Sequence, residues 1–315
     1  MEKRKLGRAG PEISVVGYGA WEAGGSMWGS NVDDREVLAA IQAAIDAGMD
    51  WIDTAEIYGR GRSEELVGKA LRNQDRDGAV LVFTKFAPFA SRWLRSDVVA
   101  AVHASLKRLG VDRVDLYQIH WPDESVMRVE EIWEGMAMAQ DQGLTRHIGV
   151  SNFDRSLIER CLAIRHVDSV QNQFSLLHQD DRAELLPWLE QRGIGYLAYG
   201  PLAFGLLTGT FTPETSFGAD DWRSGRSGIG YYEEMFAPGA FERNLERVER
   251  LRPIAERLGV ELPLLALRAV IDTPGVTAAI AGSRKADHSR SNARAGEFRL
   301  PPAVLDEIQT ALTGS

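Results

Sequence analysis

The chain has 315 residues, 44% hydrophobic and 26% charged, a balance that suits a folded protein with a large core and a length that suits either two average domains or one α/β barrel. Its formal net charge of -9 argues against nucleic acid as the main partner, because phosphate backbones are gripped by concentrated basic surface, yet leaves room for one phosphorylated small molecule held by a local cluster. One cysteine, Cys161, excludes an internal disulfide and a cysteine-rich metal site, and a reducing cytoplasm is the expected compartment.

Met1 to Gly10 carries Lys3, Arg4, Lys5 and Arg8 with no apolar run behind them, so it does not read as a secretory signal. Nowhere does the chain approach the ~18 uninterrupted apolar residues of a membrane helix. Residues 3 to 15 are expected to form two short strands about the turn Arg8-Ala9-Gly10-Pro11, a hairpin placed to plug the closed end of a barrel. Val15 to Ala20 reads as the first barrel strand. Helices and strands then alternate: helix 33–47, strand 49–53, helix 64–72, strand 81–85, helix 97–109, strand 115–120, helix 129–142 and strand 147–151. The second half adds helix 154–163, strand 169–174, helix 181–191, strand 194–199, a long helix over about 241–258, an apolar segment 262–271, strand 276–281 and helix 285–293. Eight such β/α units indicate a single (β/α)8 barrel domain over 1–315, a monomer or weak homo-oligomer.

Helix entries carry capping acceptors or negative charge at Asp33 and Asp34, at Ser63 with Glu64 and Glu65, at Ser96 with Asp97, and at Asn152 with Asp154. Gly48, Gly110, Gly143, Gly193 and Gly259 follow helices, as left-handed C-caps require. Cys161 falls in a helical pattern with Leu157, Ile158, Leu162 and Ile164 and reads as a small buried apolar residue. The charge run from Glu242 to Arg250 reads as the solvated face of a helix. The one irregular tract, 203–240, is rich in Gly, Ser, Asp and aromatics and follows the seventh strand, at the active mouth of such a barrel. It is expected to be a lid over a ligand, the alternative being a floppy loop without a role.

Three strands end in ionisable groups. Met49 to Ile52 is an apolar run that stops at Asp53, with Tyr58 and Gly59-Arg60-Gly61 following; Leu81-Val82-Phe83-Thr84 closes on Lys85; Leu116-Tyr117-Gln118-Ile119 closes on His120. Asp53 alone reads as a turn or helix cap, His120 alone as a structural histidine, and Tyr58 alone as a surface aromatic. A lysine and a histidine are poor ends for buried strands unless they meet partners, so the four together at one rim point to chemistry.

In these strand-end contexts the sequence resembles the aldo-keto reductase superfamily from about residue 4 to about residue 300, with Asp53, Tyr58, Lys85 and His120 in the positions of its catalytic tetrad. The wording Gly61-Arg62-Ser63-Glu64-Glu65, His120-Trp121-Pro122-Asp123-Glu124 and Gly205-Leu206-Leu207-Thr208-Gly209 is most similar to the bacterial branch that includes the inositol-utilisation reductases. The resemblance implies an alcohol-dehydrogenase-type oxidoreductase acting on a small carbonyl substrate. Tyr58 is then the general acid, Lys85 lowers its pKa, Asp53 fixes the lysine, and His120 orients the carbonyl oxygen.

No G-x-G-x-x-G follows a strand, so a two-layer dinucleotide fold is not supported. The resemblance instead implies NADPH, in preference to NADH, across the barrel top, with no metal. Ser151 and Asn152, in Gly149-Val150-Ser151-Asn152-Phe153, together with Gln173 would hold the carboxamide, and Tyr199 would stack under the nicotinamide. Ala20, Trp21, Gly200, Pro201, Leu202 and Gly205 join them, while Gly282, Ser283, Arg284, His288 and Asn292 form the phosphate and adenine segment. Ser291 stands where the family often has an acidic residue, and His288 where a longer Arg or Gln is usual, so the grip is expected to be weaker. Trp21, Phe86 and Trp121, with Tyr58 and His120, are expected to line the substrate pocket, a core or rim role being the alternative for each tryptophan and for Phe86. Potassium-channel β subunits share the resemblance, so a nucleotide-holding, non-catalytic binding module is the competing reading.

Overall fold

The computed structural model describes residues 1–25, 27–28, 32–72, 80–89, 92–123, 128–226 and 230–314. Two short strands, β1 (Lys3–Lys5) and β2 (Glu12–Ser14), pair antiparallel with Lys3 opposite Ser14. The barrel strands are β3 (Val16–Gly19), β4 (Trp51–Asp53), β5 (Leu81–Phe86), β6 (Val114–Ile119), β7 (Thr145–Ser151), β8 (Ser169–Gln173), β9 (Gly195–Tyr199) and β10 (Ala278–Gly282). All pair in parallel, each with its sequence neighbour, and β10 returns to β3 to close the ring. Around them lie α1 (Asp34–Asp46), α2 (Arg62–Arg72), α3 (Arg95–Leu109), α4 (Val129–Asp141), α5 (Arg155–Leu162) and α6 (Leu185–Arg192). Then come α7 (Gly230–Glu233), α8 (Ala240–Glu249), α9 (Arg252–Leu258), α10 (Leu262–Ile271), α11 (Ala286–Ala293) and α12 (Pro302–Thr313). The expected barrel and its plugging hairpin are therefore present.

Side chains on a strand alternate between faces, and in a closed barrel one face looks inward. Trp51, Phe83, Leu116 and Leu197 fill the interior, with Leu6 and Ile13 of the hairpin segment packed against them. Room for the Trp51 ring comes from Gly17, where a Cβ would lie 2.1 Å from an indole carbon. Hydrogen bonds to β2 hold this end: Trp51 Nε1 donates to Ser14 O at 2.8 Å, and Ser14 N donates to Asp50 Oδ1 at 2.8 Å. With the bottom filled, the C-terminal ends of the strands are the face where barrels of this kind place their ligands.

Several expectations change in detail. Residues 241–258 form two helices rather than one, because Pro253 in the first turn of α9 has no N–H to continue α8. The helix expected over 181–191 starts at Leu185, after a 3-10 turn, Asp180–Arg182. Ser63 does not cap α2 but sits inside it, donating to Ala20 O at 2.7 Å and bonding Thr54 Oγ1 at 2.8 Å. Ser96 also lies within its helix, and the Asp97 carboxylate accepts from the N–H of Leu94. Asp33 and Asp154 cap α1 and α5 as expected. The segment 262–271 is a nearly all-buried helix, α10. Cys161 is fully buried and its thiol is pushed up to about 12 by burial. Among the described residues no helix is long and apolar enough to cross a membrane.

The tract 203–240, apart from residues 227–229, which lie outside the described residues, is not structureless. It contains 3-10 turns at Ala203–Thr208, Trp222–Ser224 and Glu234–Phe236, besides α7. Its root packs through Leu206 and Leu207 into a second apolar cluster with Phe241, Leu245, Leu265 and Ile308. Trp222 is completely buried against Trp28 and Phe204 at the mouth of the barrel.

Candidate active site

Asp53 is the last residue of β4, Lys85 the last but one of β5, and His120 directly follows β6. Strand alternation puts Trp51 and Asp53, Phe83 and Lys85, and Leu116 and Gln118 on the inward face, so the ionisable groups form a polar layer above the apolar one. Tyr58 arrives from the loop after β4. That loop lies backbone to backbone on the one after β3: Gly59 has φ of 60°, and a Cβ there would meet Gly24 O at 2.1 Å. Only glycine allows both the left-handed conformation and the approach. The same packing stacks Tyr58 on Trp21, ring centroids 6.2 Å apart.

The structure brings all four expected residues together. Lys85 Nζ donates to Asp53 Oδ1 and, at 3.0 Å, to Thr54 O, and lies 3.5 Å from Tyr58 Oη. Tyr58 Oη is also 3.4 Å from His120 Nε2. Lys85 is fully buried and Asp53 nearly so, while Tyr58 alone of the four is partly exposed. Sequence reasoning missed Gln171, whose Nε2 donates to Asp53 Oδ2 at 2.8 Å, leaving both carboxylate oxygens bonded. Ser169, Gln171 and Gln173 recur at every second position of β8, and that polar period of two in a barrel strand is the signal.

Burial disfavours charge throughout the layer. It pushes the Asp53 carboxyl up against the pull of Lys85, and the Lys85 ammonium down against the pull of Asp53. Burial, and then the Lys85 charge, hold His120 well below the usual histidine value, so the imidazole is neutral. The Tyr58 phenol stands well above 10, raised first by burial and then by Asp53 and Tyr232. The net direction is upward, with burial the largest cause. The phenol is therefore protonated at neutral pH.

Ser151 ends β7 and is buried; Asn152 follows in a left-handed conformation, φ 61°. Both ends of its amide are engaged, Nδ2 donating to His120 O at 2.8 Å and Oδ1 accepting from Tyr199 Oη at 2.6 Å. Tyr199, at the end of β9, also bonds Tyr232 Oη at 2.8 Å. Gln173 is buried at the end of β8, and its Oε1 has no hydrogen-bond partner among the described residues. Ala20 is fully buried, its N–H bonded to Asp53 O and its carbonyl to Ser63. Gly200, Pro201, Leu202 and Gly205 lie in the turn after β9, at the root of the tract 203–240. β10 ends at exposed Gly282, and after it come buried Ser283, with its hydroxyl accepting from Lys285 N, and Arg284 paired with Glu22. His288 is exposed on α11, and Asn292 is buried one turn further on.

Of the substrate-facing candidates, Trp21 joins the aromatic wall with Trp28, Phe204, Trp222 and Tyr232, and Trp121 packs on His120 at 4.4 Å between ring centroids. Phe86 does not reach the mouth. It follows inward-facing Lys85, so alternation turns it outward into the core between strands and helices, where it is fully buried.

This arrangement has known counterparts. The aldo/keto reductase family matches residues 15–313. An aldo-keto reductase of Bacillus subtilis (strain 168) is 37% identical over 292 residues, covering 90% of this chain and 86% of its own. A probable voltage-gated potassium channel subunit beta of Oryza sativa subsp. japonica is 31% identical over 327 residues, covering 99% of this chain and 97% of its own. The crystal structure of an aldo-keto reductase from Klebsiella pneumoniae in complex with NADPH is similar with a TM-score of 0.76 at 26% identity, over 98% of this chain and 94% of that one. With that match running from just before the first barrel strand to the final helix, the chain belongs to the aldo/keto reductase family.

Proposed function

We propose that this chain, as one barrel domain in a reducing cytoplasm, is an NADPH-dependent reductase that converts aldehydes or ketones to alcohols and runs the reverse oxidation. The observation that carries the reading is Tyr58 Oη, which lies within 3.5 Å of both Lys85 Nζ and His120 Nε2 at the open end of the barrel. Reduction of a carbonyl needs a hydride at carbon and a proton at oxygen. The bound nicotinamide supplies the hydride. Tyr58 gives the proton, and its high pKa keeps it in the acid form that reduction requires. Lys85, fixed by Asp53, Thr54 O and, through Asp53, by Gln171, keeps a positive charge beside the phenol as negative charge develops on it. Neutral His120 donates from Nε2 to the carbonyl oxygen and orients it.

The residues fit the cofactor. Gln173 Oε1 is a buried acceptor with no partner among the described residues, the group that a carboxamide N–H needs. Ser151 and Asn152 lie at the end of the neighbouring strand β7, and Tyr199 of β9, paired with Gln173, offers its ring. Arg284 and the N–H groups at the start of α11 suit the 2′-phosphate, which favours NADPH over NADH.

Tyr58→Phe is expected to reduce turnover by at least about 100-fold while NADPH binding, read by tryptophan fluorescence, stays as it was. Turnover within tenfold of the parent would remove Tyr58 from the role of acid. The likeness to a protein named as a channel β subunit supports a second reading, in which the nucleotide is held while a partner docks. Loss of the NADPH absorbance band on mixing with a panel of aldehydes favours the enzyme; no loss across aliphatic, aromatic, keto-acid and sugar substrates favours the binding module.

A further inference from the structure

The loop after β3 sets a carboxylate against the phosphate segment. Glu22 Oε2 lies 3.4 Å from Arg284 Nε, and Glu22 Oε1 is 3.9 Å from the point where a side chain on Gly282 would begin. Both partners are largely sheltered, with side-chain exposures of 25% and 32%. The other titratable groups facing Glu22 are Arg223 and Asp221 from the lid and Tyr18 from β3. Arg223 is already committed to Asp221, donating from Nε at 2.9 Å and from Nη2 at 2.6 Å. Tyr18 donates its hydroxyl to Ser283 O at 2.6 Å. Arg284 is thus the cation left to Glu22, and it is also the cation assigned above to the 2′-phosphate.

A guanidinium forks onto one anion at a time with full geometry. Turning that fork to a phosphate means withdrawing it from Glu22 and leaving a sheltered carboxylate without its cation. We propose that Glu22 is a specificity-determining residue that competes with the 2′-phosphate for Arg284 and so loosens the grip on NADPH without touching that on NADH. The inference rests on the reading that Arg284 holds the 2′-phosphate. NADH has no group there and leaves the ion pair intact. The consequence is an enzyme with a smaller preference for the phosphorylated nucleotide than Arg284 alone would give, and with faster release of it.

The test is a double-mutant cycle on the full chain, with dissociation constants for NADPH and NADH read by quenching of tryptophan fluorescence near pH 8. Glu22→Gln is expected to tighten NADPH roughly three- to fivefold, the worth of a partly exposed ion pair, and to change NADH by less than about twofold. Glu22→Ala is expected to do the same, which separates loss of charge from a new amide contact. Arg284→Ala is expected to weaken NADPH selectively, and in that background Glu22→Gln is expected to have an effect below about twofold. Unchanged or weaker NADPH binding in both Glu22 variants, with Arg284→Ala still selective, overturns the competition and leaves the Arg284 reading standing. A full gain that persists without Arg284 overturns it too, in favour of general repulsion. Equal losses of NADPH and NADH in Arg284→Ala overturn the Arg284 reading itself and the inference with it. Unchanged NADH binding in the Glu22 variants certifies that the site remains folded.

Discussion

A buried lysine is stable only where its charge is compensated, and Lys85 meets that condition through Asp53 and the carbonyl of Thr54. The need for compensation is what made Asp53, Lys85 and His120 visible at the ends of apolar strands, where a lone ionisable group is costly. Gln171 was visible only through its alternation on β8, whereas Thr54 acts through its backbone and leaves no mark in the residue type. Tyr232 reaches the site from the four-residue helix α7 and Glu22 from the loop after β3, and no local pattern announces them. His120 yields a prediction at this scale. Burial and Lys85 hold it well below 6.5, so it stays neutral as pH falls through the ordinary histidine range. The profile of kcat/KM for reduction is therefore expected to be flat between about pH 6 and pH 8, with Tyr58 protonated throughout, while the oxidation rate climbs with pH as the phenolate fraction grows. Initial rates across that range check this; a unit-slope break near pH 6.5 in the reduction profile would show that His120 titrates as an ordinary histidine.

Strands and helices were legible because their hydrophobic periods are local, and each barrel strand falls within two residues of its expected place. The helix over 241–258 was misjudged because amphipathic periodicity carries across Pro253, although the missing N–H starts a new helix there. In the tract 203–240, a composition rich in Gly, Ser and Asp does not distinguish Arg223 from Arg226. The structure separates them, because composition says nothing of partners. Arg223 bonds both Asp221 carboxylate oxygens and Phe204 O and lies 4.6 Å over the Phe217 ring, while Arg226 is exposed. Limited trypsinolysis read by mass spectrometry is expected to cut after Arg226 well before Arg223. If the tract closes over cofactor, saturating NADPH slows the cut at Arg226 as well. Equal early cutting at both arginines would mean that the Asp221 and aromatic contacts do not hold the lid, and a cut at Arg226 indifferent to NADPH would remove its role as a cover.

At the scale of the molecule, eight β/α units were enough to infer a closed barrel, since each parallel pair needs a crossover and an open edge would be left unpaired. What the sequence did not reveal is how the two ends of the chain are tied, because the partners stand up to 297 residues apart. Glu2 accepts from Arg4 at 3.0 Å and from Arg299 at 2.9 Å, and pairs at 2.9 Å with Arg268, whose side chain is wholly buried. Arg268 also bonds Asp272 and donates to Ala295 O, and Arg4 donates to Ile271 O and Val276 O. One carboxylate thus binds the plugging hairpin to α10 and to the segment that enters α12. Burial pushes the Glu2 carboxyl up, but the bonds from Arg268 and Arg4 outweigh it, and its pKa lies below the ordinary 4.5. A carboxyl held low when folded contributes stability that is present above the unfolded value and lost as pH falls through the folded one. Glu2→Gln is therefore expected to lower stability by about 1.5 to 3 kcal/mol near pH 7, the range for hydrogen bonds to a charged group, and the gap between variant and parent is expected to close as pH falls below about 4.5. Urea midpoints for both proteins between pH 7 and pH 3 measure it. A gap that stays constant across that range would mean that the amide serves the three arginine partners as well as the carboxylate does, and that charge on Glu2 is not what ties the termini to the barrel.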